Sequence, residues 1–359
     1  MERITPIFPW AANMVVDSLQ LASSAPPFER YIEPFFGGGQ FFYTLSPKTE
    51  SLLNDKNKNL IDFYKHLQNP ASPLKQEILL LLNNWRLFDE FFEIIHSDIA
   101  VVEQDLKSKI INLSDVPYIL RTIFALNLTH SEFDSLYSDK KSLNGDLLIE
   151  NMISACVAYL KNALKNHKNY ELSSRILQNG YYYHLRQLLN NNRLACTIPK
   201  EKKIAVWYFI NLLGYSAQVN YSQAEILHLP ISNNVPSYHE INGEINRVFN
   251  EETLERFSKS QFFNLDFFDF LQSIELSEND FVYVDPPFNS KWLHYEDSIL
   301  SENQFKQLAS ILVTTKAQWM LVIKESNFKS EHFKGGAYQQ RVLNTEANTS
   351  DRFLMVTNY

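Results

Sequence analysis

Glycine is scarce in this chain. Only 9 of its 359 residues are glycine, where average usage of about 7% would supply roughly 25. That scarcity excludes collagen-like, glycine-linker and glycine-rich RNA-binding compositions. Cysteine is scarcer still. Cys156 and Cys196 are the two present; they cannot build a disulfide framework, and they lack CxxC spacing. A reducing compartment is the expectation. No apolar run approaches the ~20 residues of a membrane span, and the N-terminal MERITPIFPW has no signal-peptide apolar region. The chain therefore reads as cytoplasmic, with no membrane partner. Positive charge is not in excess either. A net charge of −8 excludes a protein that coats nucleic acid by bulk charge, but not one with a local basic face. The nine histidines include no pair at metal-ligand spacing on a recognisable helix, so no metal is expected. What remains is 45% apolar and 21% charged, a globular composition. Its length suits one large domain, or two of which one is inserted.

The few glycines are not evenly spread. Gly37, Gly38 and Gly39 stand in a row, so the backbone there must be unusual. Tyr31–Ile32 leads into PFFGGGQ, with a helix expected from Gln40. Ser51–Asn54 reads as a second short strand ending at Asp55. Asn57–Leu67 has helical spacing, with Leu60, Ile61, Tyr64 and Leu67 on one side. Strand, turn, helix, strand, acidic residue is the opening of a doubly wound α/β nucleotide-binding fold. From Leu74 to Leu189 the pattern changes to helical spacing without βα alternation, predicting helices at about 74–96, 99–112, 114–128, 146–168 and 171–179. Another helical apolar segment follows Ile204, then a polar, loop-rich stretch to about Val248. Strands are predicted at Gln261–Asn264, Phe281–Val284, Trp319–Ile323 and Phe353–Thr357, with a helix at Glu302–Leu312. The expected division is a domain from residues 1–73 and 204–359, interrupted by a helical insertion at 74–203.

Charge is uneven as well. Residues 151–203 hold seven more basic than acidic residues, among them Arg186, Arg193, Lys200, Lys202 and Lys203. Tyr159, Tyr170, Tyr181, Tyr182 and Tyr183 interleave with them. Such a segment reads either as a phosphate-tracking surface or as a solvated helix face.

Two constellations carry chemistry. In the first, Glu33-Pro34-Phe35-Phe36-Gly37-Gly38-Gly39 follows a strand, and Asp55 stands sixteen residues after Gly39. Glycines there let the backbone approach a ligand, and a carboxylate at the end of the next strand can accept both hydroxyls of a ribose. In the second, Phe281–Val284 ends at Asp285-Pro286-Pro287-Phe288. The prolines hold the chain extended, because each fixes its own φ and restricts its predecessor. The Asp285 carboxylate and the Pro286 carbonyl then make two fixed acceptors beside the Phe288 ring, which suits a planar group bearing an NH2.

In this order the two motifs resemble the Dam-like DNA N6-adenine methyltransferases. That family opens with a Pro-Phe…Trp-Ala-Gly-Gly-Lys segment; here Pro6, Phe8, Trp10 and Ala11 match it, while Ala12-Asn13-Met14 replaces Gly-Gly-Lys. Its Glu-Pro-Phe-x-Gly-x-Gly motif is matched by Glu33 to Gly39, and its Asn/Ala-Asp-Ile-Asn-x-x-Leu-Ile stretch by Asn54, Asp55, Asn57, Leu60 and Ile61. Asp285 to Phe288 match Asp-Pro-Pro-Tyr/Phe, and Thr357-Asn358-Tyr359 matches a frequent terminal strand. The likeness is expected over roughly 4–70 and 204–359, with 74–200 matching little. The family's Asn-Arg-Thr segment finds no arginine at Asn127-Leu128-Thr129 or at Asn211-Leu212-Leu213.

The resemblance implies a Rossmann-like class I methyltransferase sheet with a mostly helical target-recognition insertion. It implies S-adenosylmethionine as cofactor, held by Trp10, Glu33, Phe36, Gly37, Gly38, Gly39 and Asp55. Asp285, Pro286, Pro287 and Phe288 become catalytic. Double-stranded DNA becomes the partner, met by the basic residues of the insertion, and a restriction or defence-system partner is compatible. Neither cysteine follows a proline (both follow alanine), so the Pro-Cys nucleophile of 5-methylcytosine enzymes is absent. Cytosine N4 or an RNA adenine remains an alternative target. So does a subunit of the same ancestry that binds or assembles without catalysing.

Overall fold

The computed structural model describes residues 18–127, 143–165, 172–191, 198–214, 236–287, 300–343 and 352–359, with Ile7 and Ile231 besides; the side chains of 143–145 are excepted. Of the residues singled out in the sequence, Pro6, Phe8, Trp10 to Met14, Leu128, Thr129, Tyr170, Arg193, Cys196 and Phe288 lie outside these ranges. The described chain forms two compact units, one from residues 18–72 with those after 246, the other from residues 73–214 with 236–245.

The first unit is built on seven strands: β1 Arg30–Glu33, β2 Glu50–Asn54, β3 Ser260–Phe263, β4 Asp280–Val284, β5 Gln318–Lys324, β6 Gln339–Leu343 and β7 Phe353–Thr357. Their order across the sheet is β3-β2-β1-β4-β5-β7-β6. The strands from β3 to β5 pair in parallel, and β7 runs antiparallel to both β5 and β6. This is the doubly wound α/β sheet expected, a Rossmann-like methyltransferase arrangement. The order reverses beside β1, between β2 on one side and β4 on the other, which is where such sheets open a crevice at their carboxyl ends.

The alternation of strand side chains divides the core. Ile32, Leu52, Val282, Val284, Trp319, Leu321, Ile323, Leu354 and Val356 face Phe267, Phe270 and Leu271 of one helix, Phe267–Ser273, and Phe305, Leu308, Ala309 and Leu312 of another, Glu302–Thr314. Tyr31 and Phe281, in register on β1 and β4, face the other way. Their rings lie 6.0 Å apart and join Phe41 and Phe42 of α2, Gln40–Leu45, which follows α1, Ser18–Ser23. The helix Lys58–Gln68 adds Tyr64, stacked on Phe262 at 5.3 Å.

Several polar residues act as fasteners. Arg30 donates twice to Asp280, at 2.9 and 2.7 Å, tying β1 to β4 at the amino ends. Asn358 accepts from the Trp319 amide at 2.7 Å and donates to the Ala317 carbonyl at 2.9 Å. The terminal Thr-Asn-Tyr therefore secures the start of β5. Asp266 caps its helix by accepting from the Phe268 amide at 3.0 Å.

The second unit is helical: Leu74–Lys107, Val116–Asn127, Leu143–Lys165, Arg175–Asn190, Lys200–Leu213 and Tyr238–Val248, the last straddling the two units. Three expectations change here. The predicted helices 74–96 and 99–112 are one 34-residue helix, because Ile95, Ile99, Val102 and Leu106 continue the buried stripe past Ser97-Asp98. The predicted helix 171–179 starts later and runs to Asn190. Lys200–Leu213 packs against Leu74–Lys107 and Arg175–Asn190 and belongs to the helical unit, so the expected boundary at 203 falls inside a helix. Residues 146–165 are apolar enough to span a bilayer by composition, yet Leu148, Met152, Ile153, Cys156 and Leu160 are buried among the helices.

Gly180 explains one close approach. A Cβ there would lie 2.6 Å from the Met152 Cα. Gly180→Ala is expected to destabilise the helical unit by about 2 kcal/mol, although alanine is the better helix former by about 1 kcal/mol, because backbone cannot yield to overpacking. A denaturant midpoint equal to or above that of the unaltered protein would contradict this.

Candidate active site

Three carboxyl groups gather at the carboxyl ends of adjacent strands. Glu33 ends β1, Asp55 follows β2 and Asp285 follows β4. The register places them together. Glu33 pairs with Leu53, two residues before Asp55. Ile32 pairs with Val282, which sets Glu33 level with Tyr283, two residues before Asp285. The period of two then sends Glu33, Tyr283 and Asp285 to the same face.

Each carboxyl is held differently. Glu33 is 3% exposed and accepts from the Tyr31 hydroxyl at 2.6 Å. Asp55 accepts from the Gly37 amide at 2.8 Å and the Asn57 amide at 2.7 Å, stapling the glycine turn to the end of β2. Asp285 has no hydrogen-bond or ion-pair partner among the described residues. Burial raises all three above their usual values. Glu33 is held well above its usual value by burial, with Asp285 and Asp55 adding to this and the Tyr31 hydrogen bond opposing it. Asp55 is raised despite its two amide donors. The Asp285 side chain keeps some accessible surface, but the protein crowds its carboxyl and pushes it up to about 7. Among the described residues no lysine or arginine pairs with any of the three. An unneutralised trio of crowded carboxyls favours a positively charged ligand.

The glycine turn has the backbone its sequence implied. Gly37 and Gly39 have φ of +49° and +69°, and Gly39 is the N-cap of α2. Phe36 is a correction in part. Its ring turns into the core, 2% exposed, 4.9 Å from the Tyr64 ring and 5.8 Å from that of Phe42. It shapes the turn from behind, and its side chain does not line the crevice.

Asn54 was quoted in the sequence only for its likeness, and it proves central. Fully buried, it donates to the Pro34 and Leu265 carbonyls at 3.0 and 3.1 Å and accepts from the Leu265 amide at 3.0 Å. One amide side chain thus joins the ends of β1, β2 and β3. Asn54→Ala should cost about 3 kcal/mol, since several buried backbone groups lose their partner at once. A loss under ~1 kcal/mol in chemical denaturation would contradict that role.

Asp285, Pro286 and Pro287 are described, and Phe288 is not. Pro286 is buried. Tyr283, beneath Asp285, is stacked on Phe41 at 3.8 Å, which makes the floor rigid.

The basic segment comes out mixed. Lys200, Lys202 and Lys203 occupy the first turn of Lys200–Leu213, with Lys200 exposed and the other two half-buried. The Arg186 guanidinium lies 4.9 Å from the Tyr183 ring centre. Tyr181 and Tyr182, however, are core residues at 0% exposure, so they offer no stacking surface for bases. Tyr159 is part-buried and donates to Glu103 at 3.2 Å. Cys156 is buried and its thiol pushed up to about 12, which leaves it inert. No group of three or more His, Cys, Asp or Glu arranged to hold a metal occurs among the described residues.

Comparison with known proteins agrees with the motifs. Residues 20–142 match the family model of D12 class N6 adenine-specific DNA methyltransferases. A DNA N-6-adenine-methyltransferase of Escherichia phage P1 is 46% identical over 68 residues, 19% of this chain and 9% of the relative. A type II methyltransferase of Lactococcus lactis subsp. cremoris is 31% identical over 111 residues, 31% of this chain and 34% of the relative. The chain thus spans about a tenth and about a third of the length of these two relatives. The matched stretch corrects one expectation: it runs on to residue 142, well into the region read as matching little. Arg121 is exposed and paired with Glu150 at 2.5 Å.

Proposed function

We propose that this protein transfers a methyl group from S-adenosylmethionine to the exocyclic N6 of an adenine in double-stranded DNA. The observation that carries the reading is the trio of crowded carboxyls, Glu33 buried and Asp55 and Asp285 half-buried, with no pairing cation among the described residues, at the topological switch point of a methyltransferase-type sheet. S-adenosylmethionine supplies a methyl group already activated by its positively charged sulfur, and it bears an ammonium besides. The residues fit it: Glu33 faces positive charge, the Gly37–Gly39 turn lets backbone approach closely, and Asp55 meets a ribose with the capacity left beyond its two amide donors. Trp10 completes the cofactor side.

The chain's own work lies in orientation and electrostatics. The adenine amine is a weak nucleophile because its lone pair is conjugated into the ring. Asp285 and the Pro286 carbonyl accept hydrogen bonds from its two N–H groups, favour a pyramidal nitrogen and aim the lone pair at the methyl carbon. The donor, when bound, would give its methyl to N6 and leave as the neutral thioether, and the surplus proton on N6 would pass to the Asp285 carboxylate and on to water. Pro287 keeps the segment extended and Phe288 stacks on the base, which has left the duplex. No covalent enzyme intermediate is needed.

The insertion reads the target, with Lys200, Lys202, Lys203, Arg186 and Arg193 against phosphate. Replacing the three lysines by glutamine should weaken duplex binding and flatten its salt dependence by up to ~0.9 per lost phosphate contact. An unchanged slope returns them to a solvated helix face. The type II name of the Lactococcus relative favours a restriction-modification setting, in the cytoplasm.

The decisive assay incubates labelled S-adenosylmethionine with duplex DNA, single-stranded DNA and RNA, beside Asp285→Ala. Label in duplex adenine that vanishes in the variant is expected. No label on any nucleic acid, with no measurable cofactor binding, would sink the reading.

A further inference from the structure

Tyr31 stands in a cluster otherwise made of phenylalanines. Its ring lies 6.1 Å from that of Phe28, 6.3 Å from Phe41, 5.9 Å from Phe42 and 6.0 Å from Phe281. It is fully buried. A phenylalanine would fill that space equally well and spare the cost of burying a hydroxyl, roughly 1–3 kcal/mol when unpaired. The hydroxyl has a partner: it donates to Glu33 Oε2 at 2.6 Å. The two residues are two apart on β1 and so leave the same face of the strand. Four rings hold the tyrosine, and the tyrosine holds one oxygen of the carboxyl. The other oxygen, Oε1, has no hydrogen-bond partner among the described residues.

We propose that Tyr31 is a positioning residue of the methyl-donor site: its hydroxyl holds one oxygen of Glu33 in place and favours the carboxylate form against the burial that opposes it, so that the donor's positive groups meet an oriented carboxylate. The inference rests on the reading of the crevice as an S-adenosylmethionine site. The ionisable groups that face Glu33 are Asp55 after β2, Asp285 and Tyr283 on β4, and Tyr31 on its own strand. α2 carries no acidic or basic residue. Both aspartates work against ionisation of Glu33, as does its own burial, and the Tyr31 hydrogen bond opposes them. Without the hydroxyl, Glu33 holds its proton to higher pH.

The test is calorimetric titration with S-adenosylmethionine and with its uncharged-sulfur product, S-adenosylhomocysteine, from pH 6 to 9. It compares the unaltered protein, Tyr31→Phe and Glu33→Gln, with thermal melts of all three. Affinity of the unaltered protein should rise with pH. Tyr31→Phe should move that rise upward by about 0.5–1 pH unit, a three- to tenfold loss near neutrality. The loss should shrink at pH 9, and the melting temperature should hold. Glu33→Gln should flatten the profile. A Tyr31→Phe profile that coincides with the original, or lies below it by one factor at every pH, overturns the proposal. Failure of the unaltered protein to bind either ligand at any pH would instead remove the donor site itself, a result visible without any variant.

Discussion

Asp285→Asn is expected to lower methyl transfer at least a hundredfold and, at pH 8, to make the protein more stable. The two effects share a cause. On the proposed reading the carboxylate at 285 is the acceptor that orients the amine. Removing a preorganised hydrogen-bonding group of this kind typically costs 10²–10³ in rate. The same carboxyl is crowded by protein and pushed up to about 7, against an unfolded value near 3.9. A group whose folded value is raised contributes stability fully below the unfolded value and loses it as pH rises through the folded one. The window therefore runs from about pH 4 to pH 7. Above it the ionised group costs the fold on the order of 2–4 kcal/mol, which the uncharged amide avoids. The melting-temperature difference should be positive at pH 8 and fade toward pH 4, while transfer by the unaltered protein falls below pH 7. A variant that is inactive and also less stable at pH 8 would place Asp285 among structural residues.

Gly39→Ala should damage the sheet unit most directly. At φ of +69° an L-residue is strained by about 1–2 kcal/mol. A Cβ would also sit 2.6 Å from Phe36 Cζ, and that ring is wedged by Tyr64 and Phe42. Overpacking adds roughly 1–3 kcal/mol, so a total near 3 kcal/mol is expected. The strain also bends the turn that Asp55 staples at Gly37, and cofactor affinity should fall with it. Phe36→Leu in the same chain should return the overpacking part while leaving the φ part. If the double variant is simply additive, the Phe36 contact is not the source.

The motifs were readable because each is local. Three glycines, a carboxylate at a strand end and Asp-Pro-Pro-Phe announce their backbone by composition alone, and the sheet order follows once the strands are placed. What stayed hidden depends on distant neighbours. β6, QQRVL, was not predicted because four of its five residues are exposed, so it has no apolar alternation to see. Tyr181 and Tyr182 sit in a basic stretch, and composition cannot tell that their helix turns them inward. Phe36 adjoins the glycines in sequence while its ring points to Tyr64. Asn54 looks like an ordinary strand end until β3, more than two hundred residues later, brings Leu265 to it.

That last separation has a temporal meaning. β2 and β3 are sheet neighbours, Leu52 paired with Gln261, yet the whole helical unit is synthesised between them. β1 waits likewise for β4, Arg30 for Asp280. A growing chain presents β1 and β2 early, short and apolar, with open edges on both sides. The helical unit has local contacts and can fold first. β1 cannot pair with β4 until residue 285 has left the ribosome, and the three carboxyls, costly to crowd together, meet only then. Translation arrested before β3 would leave two bare strands, and slow elongation would lengthen the period in which they can pair wrongly.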